Sequence, residues 1–210
     1  MDPIHWYHQR RMLNAMVQHR WTEAEHHTRK LMHHSGPSMG LEYNLALIAL
    51  GQKREQQAYD QLVETVARYG ESLRLCRLLG DISYLRGDGQ SAVRWYAAAK
   101  EDDPPSKELA LINLRLQLLE DPLRFEKALG AYKMLDQANS LSEENPKKAV
   151  ELYQLCIDAD PTCVEAANGL GCLLLDHFQD AAGAVSAFTH VLSLVDNPGA
   201  AKNLARAKKA

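Results

Sequence analysis

The sequence lacks an apolar run approaching the roughly 18 residues that a membrane-spanning helix requires, so no membrane span is expected. It also lacks an excess of positive charge. Its 24 Lys+Arg face 27 Asp+Glu for a net charge of −3, which argues against a nucleic-acid-binding surface. The N-terminus, Met1-Asp2-Pro3-Ile4-His5-Trp6-Tyr7-His8, has no basic head followed by an apolar run, and it is not rich in Arg and Ser. Neither a secretory signal nor a transit peptide is expected. Cysteine is scarce: Cys76, Cys156, Cys163 and Cys172 form no C-x-x-C pair, and the chain is too long for a disulfide scaffold. Reduced thiols and a cytoplasmic location are the expectation.

Catalytic signatures are missing as well. Gly87-Asp88-Gly89 lacks the rest of a phosphate loop, and no G-x-S-x-G, H-E-x-x-H or kinase signature occurs. The carboxylates are dispersed over polar faces. Cys172 has no histidine placed to activate it, since His177 falls at a helix end. No enzymatic activity, cofactor or metal is expected. What remains is an ordinary globular composition, 46% apolar and 24% charged, with enough length to bury a sizeable core without staples.

An internal repeat organises that length. Ala24, Ala58 and Ala92 are spaced by 34 and 34 residues. Each follows a polar turn and precedes, four positions on, Thr28, Leu62 or Tyr96. Ala149 with Tyr153 and Ala184 with Phe188 repeat the frame. Upstream, Cys76-x-x-Leu79-Gly80-x-x-Ser83 leads to Ala92-x3-Tyr96 and Pro104. Likewise Ala167-x-x-Leu170-Gly171-x-x-Leu174 leads to Ala184-x3-Phe188 and Pro198. The small residues sit where two helices approach closely, and the large ones fill the gap beside them. This pattern resembles the tetratricopeptide repeat, in which W-x2-L-G-x2-Y precedes A-x3-F and a closing proline. Here Cys76 and Ala167 stand at the first aromatic position. The resemblance implies an all-α solenoid, a right-handed superhelix of about five two-helix repeats with a C-terminal capping helix.

Helices are expected near 4–18, 22–34, 39–51, 55–69, 73–86, 89–101, 106–119, 123–141, 146–158, 163–176, 180–194 and 198–208. Pro104 and Pro161 each follow an aspartate able to N-cap, so each is expected to start a helix pair. Gly87 is expected to terminate one helix, with a fresh start at Gly89. The phase slips once, because Ala92 to Ala149 is 57 residues. The slip divides the chain into an N-terminal array over 1–119, three repeats plus one extra helix, and a C-terminal array over 120–210, two repeats plus the cap. The helix over 123–141 is then expected to serve two repeats. The break at 120–123 is either a plain irregularity or a hinge.

In stacked helical hairpins the first helix of each pair lines a concave face, and groove residues recur at about i, i+3, i+7 and i+10. That stripe reads Trp6, Gln9, Leu13 and Met16 in the first repeat. It reads Gly40, Tyr43, Leu47 and Leu50, with Asn44 alongside, in the second, and Arg74, Arg77, Asp81 and Tyr84 in the third. Its apolar members suit either interhelical packing or anchoring of a partner's side chains. Arg74 and Arg77 suit a carboxylate, although Asp81 can neutralise Arg77 as an i, i+4 pair. Some members of the family clamp a C-terminal carboxylate with Lys and Asn. Asn44 and Arg74 fit that pattern, whereas Gln9, Leu13 and Leu78 depart from it, so a mixed apolar and acidic segment is the expected occupant.

Seven of the nine histidines, His5, His8, His19, His26, His27, His33 and His34, lie in the first 34 residues. Only His5 and His8 have a spacing that one ion could span, and the second-helix histidines are expected on a solvated face. Three functions follow as expectations: an adaptor whose groove binds a peptide or helical segment of another protein, a homo-oligomeric scaffold, and a dedicated chaperone for a secreted or assembling client.

Overall fold

A computed structural model describes residues 2–210. All regular structure among the described residues is helical. The chain divides into two compact units, one ending at Asp103 and one starting at Pro104.

The first unit contains α1 (Pro3–Val17), α2 (Trp21–Ser35), α3 (Met39–Gly51), α4 (Glu55–Tyr69), α5 (Leu73–Leu85) and α6 (Gly89–Lys100). They form three antiparallel hairpins, α1–α2, α3–α4 and α5–α6, with α2 packed on α3 and α4 on α5. Ala24, Ala58 and Ala92 are all fully buried, where only a methyl group fits between helices. The glycine contacts show the tolerance: a Cβ on Gly80 would lie 2.6 Å from the Tyr96 ring.

The backbone repeats more faithfully than the side chains. Within each hairpin the turn passes through one left-handed residue: His19 (φ 55°), Lys53 (φ 60°) and Gly87 (φ 78°). Between hairpins Gly36 (φ 82°) and Gly70 (φ 88°) do the same. A left-handed non-glycine residue costs about 1–2 kcal/mol, and part of that is offset by a less flexible unfolded chain. Exposed Lys53 should therefore accept glycine with a gain of about 0.5–1 kcal/mol, read as a higher urea midpoint at unchanged slope.

The second unit contains α7 (Ser106–Leu119), α8 (Pro122–Leu141), α9 (Pro146–Ala159), α10 (Val164–Asp176), α11 (Ala181–Leu194) and α12 (Pro198–Ala207). The hairpins are α8–α9 and α10–α11, with α9 against α10 and α12 against α11. The Gly171–Phe188 contact repeats that of Gly80 and Tyr96, with a Cβ on Gly171 placed 2.7 Å from the ring. Helix starts are set by short polar side chains. Asp121, Asn145, Asp180 and Asn197 accept from backbone N–H groups of the first turn, and Pro122, Pro146 and Pro198 occupy early positions where no N–H is needed.

Three features depart from the sequence reading. First, α7, grouped there with 1–119, packs on α8 and α11. A buried polar chain ties it there, beside the buried Leu111, Ile112 and Leu118. The Arg115 side chain on α7 donates through Nε to Thr162 Oγ1 at 2.9 Å. Thr162 donates through N and Oγ1 to Asp160 Oδ1 at 2.8 and 2.7 Å, and Tyr132 OH on α8 donates to Asp160 Oδ2 at 3.2 Å. Burial, then the Asp160 charge, pushes the Tyr132 hydroxyl far above its ordinary range. Second, α8 forms its hairpin with α9, while its contact with α7 is slighter. Third, neither Pro104 nor Pro161 opens a helix. Pro105 precedes α7 and Cys163 precedes α10 at the cap positions, because Asp160 turns its carboxylate to Thr162.

Candidate functional site

The first helices of the three hairpins in the first unit, α1, α3 and α5, carry the residues that the stripe selects. Three of their polar members converge. Gln9 of α1, Asn44 of α3 and Arg74 of α5 line one open cleft of about 410 Å³, together with Met12 and Leu41. The loop from Ser35 to Ser38 closes one end. His5, also in the lining, is fixed by a 2.8 Å hydrogen bond between its Nδ1 and Ser35 Oγ. Asn44 is oriented by Met12, its Nδ2 lying 3.8 Å from the sulfur. The Arg74 guanidinium lies over the Tyr43 ring at 5.2 Å, a cation–π contact that holds the charge at the cleft edge. No carboxylate lines the cleft among the described residues, so nothing acidic there competes for the Arg74 guanidinium or the amide N–H donors of Gln9 and Asn44.

The other stripe residues fall into two groups. Trp6 and Leu13 lie on the flank of α1 next to Gln9, about half exposed at 47% and 50%. Leu47 and Leu50 are half-buried along α3. Met16, by contrast, packs with Trp21 onto the cluster of buried Ala15, Ala24 and Ile48, so it serves the core. Arg77 and Asp81 face each other at 3.8 Å, and Asp81 also accepts from Tyr96 OH at 2.9 Å. Tyr84 is corrected outright, with 0% of its surface exposed. It stands only about 40° round the helix from Gly80, so a spacing of i+10 carries it past the groove and onto the packed side. The stripe missed Met12, which reads as core, and it missed the interhairpin loop. The Gly36-Pro37-Ser38 turn signal was the available clue to that loop.

The histidines also differ from expectation. His27 is 7% exposed and faces His8 across the α1–α2 hairpin, Nδ1 to Nδ1 at 2.8 Å. His34 is held by Asp2, whose carboxyl that contact pushes down. No group of three or more His, Cys, Asp or Glu able to hold a metal ion occurs among the described residues. Burial pushes the thiols up, to about 11 for both Cys156 and Cys163, and it also raises Cys76 and Cys172. That favours the unreactive thiol over the thiolate.

No protein-family model matches the sequence, and no curated protein matches it. Solved structures do match. A MamA double mutant, RS-1 ArsTM, aligns with a TM-score of 0.52 and 14% identity over 92% of this chain and 96% of its own. The hairpins of the two units, with an aromatic ring set on a glycine in each, agree with that likeness. The fold is that of tetratricopeptide repeats. A tetratricopeptide repeat protein from Parabacteroides merdae aligns over the whole of both chains at 13% identity and TM-score 0.49. The TPR2AB domain of yeast Sti1, in complex with pHSP90, aligns at 14% identity and TM-score 0.49, over 98% of this chain and 83% of its own. In tetratricopeptide terms the cleft lies on the first helices of three successive repeats. Among the described residues no helix is long and apolar enough to cross a membrane.

Proposed function

We propose that the first unit is a protein-interaction module whose cleft takes a segment of a partner protein carrying both apolar side chains and a carboxylate. The observation that carries this reading is the convergence of Gln9, Asn44 and Arg74 from three hairpins on one cleft that also holds Met12 and Leu41. Donors without a competing carboxylate suit an acidic group. Met12 and the exposed Trp6 and Leu13 beside the cleft suit apolar anchors. A groove built on rigid helices loses little conformational freedom when it binds. No catalytic role is assigned, and the unbridged cysteines fit a reducing, cytoplasmic setting.

The test is a titration of fluorescent peptides that combine Leu or Phe with Asp or Glu, paired with light scattering. A 1:1 complex is expected. Arg74→Glu should weaken it at least tenfold, which corresponds to about 1.4 kcal/mol, and Asn44→Ala should weaken it severalfold. Binding that ignores both substitutions would overturn the reading. Scattering that grows with protein concentration alone would favour self-assembly instead.

A further inference from the structure

The His8–His27 contact takes no part in the cleft, yet it joins the two helices of the first hairpin. With Nδ1 facing Nδ1 at 2.8 Å, one ring donates a proton and the other accepts it. A first added proton can go to the outer Nε2 of the donor ring and leave this bond intact, whereas a second turns both facing nitrogens into N–H donors aimed at each other. Both rings would also be cationic, and His27, almost wholly buried, could not hydrate its charge in place.

The surroundings offer little relief. On α1, His5 is engaged by Ser35, Arg11 by Glu23 at 2.6 Å, and Tyr7 sets its ring edge-on to His27 at 6.0 Å. On α2, the His26 ring lies 5.3 Å from that of His27, Lys30 bears on His8 with a like charge, and His34 is taken by Asp2. Glu23 is the carboxylate near the pair. It lies 3.8 Å from His27 Nε2 but is already shared by Arg11 and Arg20. On α3, which packs against α2, the ionisable groups are Glu42 and Tyr43. Thr65, Arg68 and Tyr69 of α4 engage Glu42, and Arg74 covers Tyr43.

We propose that the His8–His27 pair is an acid-sensitive latch on the α1–α2 hairpin: uptake of a second proton parts the two helices and withdraws the α1 wall of the cleft. Burial holds both imidazoles below their ordinary range. The folded protein therefore binds fewer protons than the unfolded chain as pH falls. The contribution is complete above about pH 6.5 and is lost as pH drops below it. Control of the cleft rests on the binding role proposed above, whereas the latch does not.

The test is amide exchange of the unliganded protein at pH 7.5 and 5.5, corrected for intrinsic rates, comparing α1 with α5 and α6. Protection of α1 relative to α5 and α6 should fall about tenfold in the wild type. It should fall much less in His8→Gln and in His27→Gln, each of which leaves a single imidazole at the joint. His33→Gln, at an exposed position off the pair, should behave as wild type. Unchanged α1 protection in the wild type would overturn the latch, and so would the same fall in His8→Gln and His27→Gln. If α1 protection falls while peptide affinity holds, the latch stands and the cleft reading fails.

Discussion

Replacing Tyr96 with alanine should cost the first unit about 3–5 kcal/mol, the range for emptying a buried aromatic site. The ring is fully buried and rests on Gly80, where an added Cβ would lie 2.6 Å away. The glycine removes substance from α5 so that α6 can approach, and the ring supplies the substance that fills the remaining gap. Taking the ring away leaves a cavity bounded by two helix backbones, which cannot collapse without losing their own hydrogen bonds. Tyr96→Phe keeps the filling and loses the hydroxyl with its 2.9 Å bond to Asp81, worth about 1 kcal/mol. Equilibrium urea denaturation followed by circular dichroism separates the two. Equal losses for Ala and Phe would mean that the hydroxyl, and not the packing, holds the hairpin.

Arg115→Ala should be of similar size in the second unit, about 3–5 kcal/mol, because it breaks a buried charged network from one side. Arg115 is 7% exposed, and its Nε is joined through Thr162 to Asp160, which is itself fully buried. Without the guanidinium the Asp160 carboxylate stays in the interior and loses a buried positive charge joined to it through Thr162. Thr162→Val removes the hydroxyl that links the two groups and should cost about 1–3 kcal/mol. Amide exchange gives the sharper measurement. In Arg115→Ala, α7 should lose protection before α9–α11. A variant in which α7 stays as protected as in the wild type would show that apolar contact alone secures it.

The physical reason that some features could be read from the sequence is that they depend on one helix at a time. The alanines at 24, 58 and 92 mark close approach whatever the neighbour's rotation, and the Asp and Asn caps act within a single turn. Gln9 and Arg74 stand on the stripe of their own helices and Asn44 beside it, at different positions of the repeat, so the periodicity of each helix was enough to select them. Features that depend on the rotation or partner of a second helix were not legible. Met16 and Tyr84 satisfy the spacing of a groove stripe, yet packing against neighbouring helices claims them. His8 and His27 are 19 residues apart, and nothing local pairs them. The packing of α7 includes Arg115 reaching Thr162, 47 positions on. Such a contact exists only once three helices are in place.

The left-handed turns at 19, 53 and 87 and at 36 and 70 make the first unit a series of interchangeable parts. Each hairpin meets the next through the same backbone geometry, and in stacked arrays each meets only its neighbours. Splicing in a second copy of residues 37–70 between hairpins would therefore present a familiar surface on both sides. It would lengthen the surface formed by the first helices by one hairpin while leaving the existing joints intact, so the reach of that surface can change by whole modules without any redesign of the core.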